Sequence, residues 1–397
     1  MRRRRPAAVH RAAELARAVL AVLAVVTSAA CAPGGGGAAS SGGPSPAATA
    51  GDVAPSTGDT SVSAAPGPRG SASGGSGVTD GSANASAAGR PVPPPPVARF
   101  RCPAATVTVA TAPQLKKALA EARPGTVIAL QDGVYAGAFT ATAAGTAGAP
   151  VYLCGGRAAV LTGRSMSKDY ALHLKGASHW RVSGFAVRNA QKGVVVDGAT
   201  DVALQDLLVE HVGDEGVHLR ANSTGDVVRG LTIRDTGLLN PKFGEGVYIG
   251  TAQNNWGTIT GGQPDRSDHD FVVENSISRT TAESVDVKEG TTGGVVAANR
   301  FDGTGMTAAS AWVNVKGNEW LISGNEGTVT PRDGFQTHVI LSGWGERNVF
   351  SGNTARLAAG GDGLAVRVQE SLGNVVGCTN TADGGHQVSA LGCTPSA

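Results

Sequence analysis

The sequence predicts an all-β fold, a single-stranded right-handed parallel β-helix capped by one short N-terminal α-helix. Three observations point there. The first is a six-residue pattern with apolar residues at alternate positions. It runs Lys192-Gly-Val-Val-Val-Asp197, Glu215-Gly-Val-His-Leu-Arg220, Glu245-Gly-Val-Tyr-Ile-Gly250, Glu283-Ser-Val-Asp-Val-Lys288, Ala311-Trp-Val-Asn-Val-Lys316, Asp333-Gly-Phe-Gln-Thr-His338 and Asp362-Gly-Leu-Ala-Val-Arg367. Tyr170-Ala-Leu-His-Leu-Lys175 is a weaker copy. Repeats at intervals of roughly 20–40 residues mark a solenoid. The second observation is a further apolar strand in each repeat, such as Val202-Ala-Leu-Gln-Asp-Leu207 and Phe271-Val-Val-Glu-Asn-Ser-Ile277. The third is a column of residues that tolerate left-handed backbone: Gly184, Asp206, Gly230, Asn275, Asn299, Asn325 and Asn353. Tight turns between the strands of a coil need such residues, and the asparagines can stack as a hydrogen-bonded ladder. A β-propeller would need about 40 residues and four antiparallel strands per blade, which these repeats do not supply.

Residues 1–30 read as an export signal. Arg2 to Arg5 open it, an apolar run from Val19 to Val26 follows, and Thr27-Ser-Ala-Ala-Cys31 closes it. The apolar run falls short of the roughly 20 residues that span a bilayer. Ala30-Cys31 resembles a bacterial lipobox, with Ser28 where leucine usually stands. Lipidation at Cys31 and ordinary cleavage after Ala30 or Ala32 both stay open, and the expected location is secreted or on a bacterial surface. Residues 31–98 are rich in Gly, Ser, Ala and Pro and end in Pro91-Val-Pro-Pro-Pro-Pro96, the composition of a flexible tether.

The β-helix domain is assigned to residues 99–397. Within it Thr111-Ala-Pro-Gln-Leu-Lys-Lys-Ala-Leu-Ala-Glu-Ala122 reads as the capping helix. Thr111 stands at the cap, Pro113 in the first turn, and Leu115, Ala118 and Leu119 on one face. Thr126–Leu130 and Val151–Cys154 read as the first buried strands. Apart from Cys31, the cysteines are Cys102, Cys154, Cys378 and Cys393, an even number without a CxxC spacing. In an exported chain they predict bridges Cys102–Cys154 and Cys378–Cys393, one at each end. The net charge of +2 implies no basic face, so nucleic acid is not an expected partner. Nothing signals an oligomer, and a monomer is expected, touching membrane only through a lipid at Cys31.

Alternation turns Val285, Val287, Val313 and Val315 inward and Asp286, Lys288, Asn314 and Lys316 outward. Stacked strands lie roughly 4.8 Å apart, so Lys288 and Lys316 become neighbours, with His338 one rung on and Tyr248 and Glu245 one rung back. Two adjacent lysines repel, and each makes the neutral form of the other easier to reach. A groove lined this way suits a chain of acidic sugars. Arg220, Asp286, Asn314, Gln336 and Trp312 are the expected substrate contacts, with Trp256 and Trp344 in adjoining loops. The plain alternative is a solvated face on which Lys288 pairs with Asp286 or Glu289.

Glu283-Ser-Val-Asp-Val-Lys288, then Asn299-Arg-Phe301 and Val313-Asn-Val-Lys-Gly-Asn318, resembles the alginate and chondroitin lyases of polysaccharide lyase family six. These belong to the pectin-lyase-like β-helix group. The resemblance spans roughly Glu245 to Asn325 and implies Lys288 as base, Lys316 at the place of a catalytic arginine, and Glu283 at a calcium-ligating glutamate. Glu245 could join Glu283 around such a calcium ion. Thr281 stands where the family carries a second acidic ligand.

The expected function is a lyase acting on a uronate-containing acidic polysaccharide. Lys288 would be the base, Lys316 with Arg220 would neutralise the uronate carboxylate, and Tyr248 or His338 would protonate the leaving oxygen. Two rivals stay open. One is an inverting hydrolase using carboxylates among Glu245, Glu283, Asp286 and Asp333. The other is a glycan-binding surface module without catalysis.

Overall fold

The computed structural model describes residues 92–357 and 361–395. The export signal, Cys31 and the tether as far as residue 91 lie outside the described residues. Among the described residues, no helix is long and apolar enough to cross a membrane.

Each coil visits three parallel sheets in turn, as in Val151–Gly155, Ala159–Thr162 and Tyr170–Lys175. The first sheet has eleven strands, the second ten and the third nine. Successive coils pair in register: Val247, Val285, Val313 and Phe335 stack in one column, and Tyr248, Asp286, Asn314 and Gln336 in the next. The first column is fully buried in the coil interior. Each such side chain contributes about 1.5–3 kcal/mol, and a one-residue slip would turn all of them into water. This is the parallel β-helix that the repeats predict.

The capping helix spans Ala112–Ala120. Its Thr111 side chain accepts from the Gln114 amide, and Leu115, Ala118 and Leu119 close the end of the core. Both bridges form as expected, Cys102–Cys154 with Cα atoms 6.3 Å apart and Cys378–Cys393 with 4.9 Å.

Three sequence expectations need correction. The left-handed column is two columns. Gly184, Asp206 and Gly230 do have positive φ, but in later coils the left-handed residue precedes the asparagine: Glu274, Ala298, Gly324 and Gly352. The asparagines themselves form the ladder. Asn299 Oδ1 accepts from the Asn275 amide at 2.9 Å, and Asn299 Nδ2 donates to the Val272 carbonyl at 2.8 Å. Asn325, Asn353 and Asn380 continue it. In the last coil, Arg367 pairs with Gln336 rather than lying beside His338. That shift is two residues, so the outward face is kept. Trp312, expected at the sugar groove, is fully buried in the coil interior. Its ring stacks edge-on against Phe335 and its Nε1 donates to the Val329 carbonyl at 2.8 Å. It stands next to Val313 in an unbroken strand, and Gly303, Gly327 and Gly334 leave the room its ring fills, since a Cβ on any of them would come within 3.0 Å of it.

Among the described residues, Val97 is the first that is buried. Arg229 donates to the Val97 carbonyl, Gln205 and Phe100 exchange hydrogen bonds, and Arg99 reaches Asp206 and Glu274. Val97 joins Ala203, Val227, Phe271, Val273 and Val295 in an apolar cluster separate from the main core.

Candidate functional site

The third sheet presents its polar columns outward, and its middle strands carry the densest charge. The Glu-Gly-Val repeat explains part of this. A Cβ on Gly216 or Gly246 would come within 2.7 or 2.6 Å of an isoleucine Cγ2 in the interior. The glycine makes room for that isoleucine and for the backbone of the next coil, with Glu215 and Glu245 preceding it beside the outward residues.

Asp286 lies at the centre. Its Oδ2 is 2.7 Å from Lys288 Nζ and its Oδ1 is 2.5 Å from Lys316 Nζ. All three side chains are less than a tenth exposed. Lys288 Nζ also stands 4.9 Å from the centre of the Tyr248 ring. Tyr248 packs edge-on against His218 at 4.2 Å, and His218 Nε2 meets the Gly250 carbonyl at 2.9 Å. Behind them Lys192 Nζ pairs with both oxygens of Glu215 at 2.7 and 2.5 Å.

The electrostatics follow from this packing. Burial works against the charge on Lys288, but Asp286 and the neighbouring acidic groups outweigh it and hold the ammonium well above its usual range. Burial also opposes the Asp286 carboxylate, and the two lysines overcome it and hold the group low. The like charge of Lys316 therefore does not leave Lys288 neutral at rest. Asp286 stands between them. Burial raises Tyr248 well above the ordinary phenol value. Burial, then Lys316, lowers His338 to about 4. Glu245 is pushed well up, by burial first and then by Glu215, Glu283 and Asp286. Glu283 rises for the same reasons, burial and then Asp286.

The other expected contacts are engaged. Arg220 binds both oxygens of Asp197 and the Tyr170 hydroxyl. Asn314 Nδ2 donates to Glu283 at 3.1 Å. Gln336 Nε2 donates to Asp333 at 2.6 Å and to Ser310 at 3.0 Å. Trp256 is buried, with Nε1 donating to the Thr251 carbonyl, and Trp344 is half-buried under the Arg266 guanidinium.

Glu245, Glu283 and Asp286 each place an oxygen within 4.8 Å of the others. A calcium ion takes six to eight oxygens. Here both Asp286 oxygens are held by ammonium groups, leaving Glu245 and Glu283 as the only carboxylates of the set to serve the ion. The arrangement does not fit calcium, and two lysines supply the positive charge that calcium would bring. Sequence reasoning missed Asp286 as the clamp of both lysines, and it missed the Lys192–Glu215–His218 row. Their signal was the acidic residue heading successive repeats: Glu215, Glu245, Glu283 and Asp333.

Among solved structures, the chain is similar to an alginate lyase from Paenibacillus sp. str. FPU-7. Identity is 33% over 71% of this chain and 97% of that one, with a TM-score of 0.66. A pectate lyase, Pel9A, aligns at 15% identity over 71% and 75% of the two chains, with a TM-score of 0.48. A mannuronic acid specific family 6 lyase from human gut microbiota aligns at 13% over 73% and 83%, with a TM-score of 0.38. No family profile and no curated protein matches the chain.

Proposed function

The chain belongs to the family of the Paenibacillus alginate lyase, and from that premise we propose that it cleaves a uronate-containing polysaccharide by β-elimination. The observation that carries the reading is the buried cluster of Lys288, Lys316, Asp286 and Tyr248 on the outer face of the third sheet.

In the reaction, the Lys288 amine in its neutral form takes the C5 proton. The electron pair of that C–H bond becomes the C4=C5 double bond. The C4–O bond breaks, and the leaving oxygen takes a proton from the Tyr248 hydroxyl. Lys316 faces the uronate carboxylate and offsets the charge that develops there. Tyr248 suits the acid role better than His338, since a histidine titrating at about 4 carries no spare proton at neutral pH. Among the described residues, Glu245 Oε2 and Asn314 Oδ1 are buried and unpartnered, places where sugar hydroxyl groups would complete hydrogen bonds.

Inverting hydrolysis is less well supported. It needs two carboxyl groups roughly 6.5–9.5 Å apart with room for water. Glu245, Glu283 and Asp286 crowd within 4.8 Å, and Asp333 is tied to Arg367 and Gln336.

The test is incubation with a panel of uronate polymers, following near-ultraviolet absorbance of the new double bond. The lyase reading expects absorbance to rise with chain scission, and Lys288→Ala to abolish it in a protein that still folds cooperatively by circular dichroism. New reducing ends without absorbance would move hydrolysis ahead. Undiminished cleavage by Lys288→Ala would remove the assigned base.

A further inference from the structure

Cations on the outer face of the third sheet and in the loops that feed it include two groups. Lys192, Arg220, Lys288, Lys316 and Arg367 each face a carboxylate. Arg164, Lys168, Lys175 and Lys242 are exposed, and none has a side-chain hydrogen bond or ion pair among the described residues.

Three of the four unpaired cations lie in two adjoining loops, and Lys175 stands at the far end of the strand that one of these loops feeds. Arg164 and Lys168 lie in the loop of residues 163–169 that feeds strand Tyr170–Lys175, and Lys175 ends that strand. Lys242 lies in the loop of residues 237–244 that feeds strand Val247–Ile249. The two loops meet over Gly213. A Cβ on Gly213 would collide with the Met166 carbonyl, and the Gly213 carbonyl accepts from the amides of Leu239 and Asn240 at 3.0 and 3.1 Å. Across both loops the sequence supplies one acidic residue, Asp169. Lys175 stands in the Lys288 column, four strands away in the sheet order. At roughly 4.8 Å per strand that is about 19 Å along the sheet.

Exposed cations with no partner are places where a polyanion gains contacts without first breaking an ion pair, unlike Arg220, which would have to leave Asp197. We propose that Arg164, Lys168, Lys175 and Lys242 form a track binding the carboxylates of uronate units several residues from the scissile bond. The site would then favour long chains over short oligomers. This rests on the lyase reading for its substrate class.

The test separates binding from cleavage. Alginate is cast into native gels and the full chain carrying Lys288→Ala is run, with and without the added changes R164A, K168A, K175A and K242A. The expected result is retardation of the Lys288→Ala protein and a dissociation constant about tenfold weaker for the fivefold variant, with weaker dependence on salt. In otherwise wild-type enzyme, the four changes should raise KM for polymer, leaving kcat and the KM for a trisaccharide unchanged. Equal retardation of the two proteins, or equal loss on polymer and trisaccharide, would overturn the track. Retardation without any cleavage by wild-type enzyme would preserve the track and overturn the lyase reading instead.

Discussion

Asp286 is the residue on which the chemistry turns. A neutral lysine is the base that β-elimination requires, yet Asp286 holds Lys288 protonated. Activity should therefore rise with pH along an alkaline limb set by loss of the Lys288 proton. Asp286→Asn removes the main stabiliser of that ammonium, so the limb should move to lower pH. A pH–rate profile on the identified polymer checks this, and an unmoved limb would mean that another group titrates. The same change strands two buried ammonium groups, and breaking such a pair typically costs about 3–5 kcal/mol. The variant's melting temperature should drop accordingly. The sequence placed Lys288, Lys316 and Tyr248 on one face, because alternation alone decides facing. It could not show that Asp286 reaches both lysines, since that depends on side-chain rotamers and burial by neighbouring coils. Trp312 was misplaced because alternation does not register the glycines of neighbouring coils, Gly303, Gly327 and Gly334, that make room for its ring inside.

At the scale of the turn, two aspartates occupy a ladder position. Asp226 Oδ1 accepts from the Val202 amide and Asp270 Oδ1 from the Asp226 amide, each at 2.8 Å. Further along the same turn, Asn348 accepts from Trp320 and also donates Nδ2 to the Gly317 carbonyl at 3.0 Å. The second oxygens of Asp226 and Asp270 are buried without a partner. Burial, before any other cause, raises both carboxyl groups well above their usual range. A protonated carboxyl is the form that can donate as asparagine does. A raised carboxyl contributes stability that is full below the unfolded value of about 3.9 and is lost as pH rises through the folded value. Replacing both residues by asparagine keeps a donor at every pH. The gain in melting temperature over wild type should be larger near about pH 9 than near about pH 5. A gain independent of pH would show that the aspartates do not keep their protons. The asparagine ladder was visible in the sequence. The left-handed residue one place earlier was not, because glutamate and alanine fill it in two coils without marking a turn.

For the whole molecule, the coil was legible because a solenoid is linear. Each repeat contacts its neighbours, so local patterns and nearby cysteines define it. What the composition concealed is the lengthwise strap. A proline-rich segment reads as tether, yet its end at Val97 lies on the first sheet, held by Arg229 and flanked by the Cys102–Cys154 bridge. Val97 is 8% exposed and belongs to the second apolar cluster with Ala203, Val227 and Phe271. Those strands belong to three successive coils, each paired to the next, so the strap ties neighbouring rungs together from outside. Val97→Asp would place a carboxylate among them and lose the burial of a valine, costing at least about 2 kcal/mol. A melting temperature a few degrees lower, with the first sheet's amides exchanging faster, is the expected outcome. The lysine cluster lies on the third sheet, so kcat at low temperature should stay unchanged. Unaltered melting would mean that the strap rests on the sheet without bracing it. Lost kcat with normal melting would show that the first sheet communicates with the catalytic face, which its separate core gives no reason to expect.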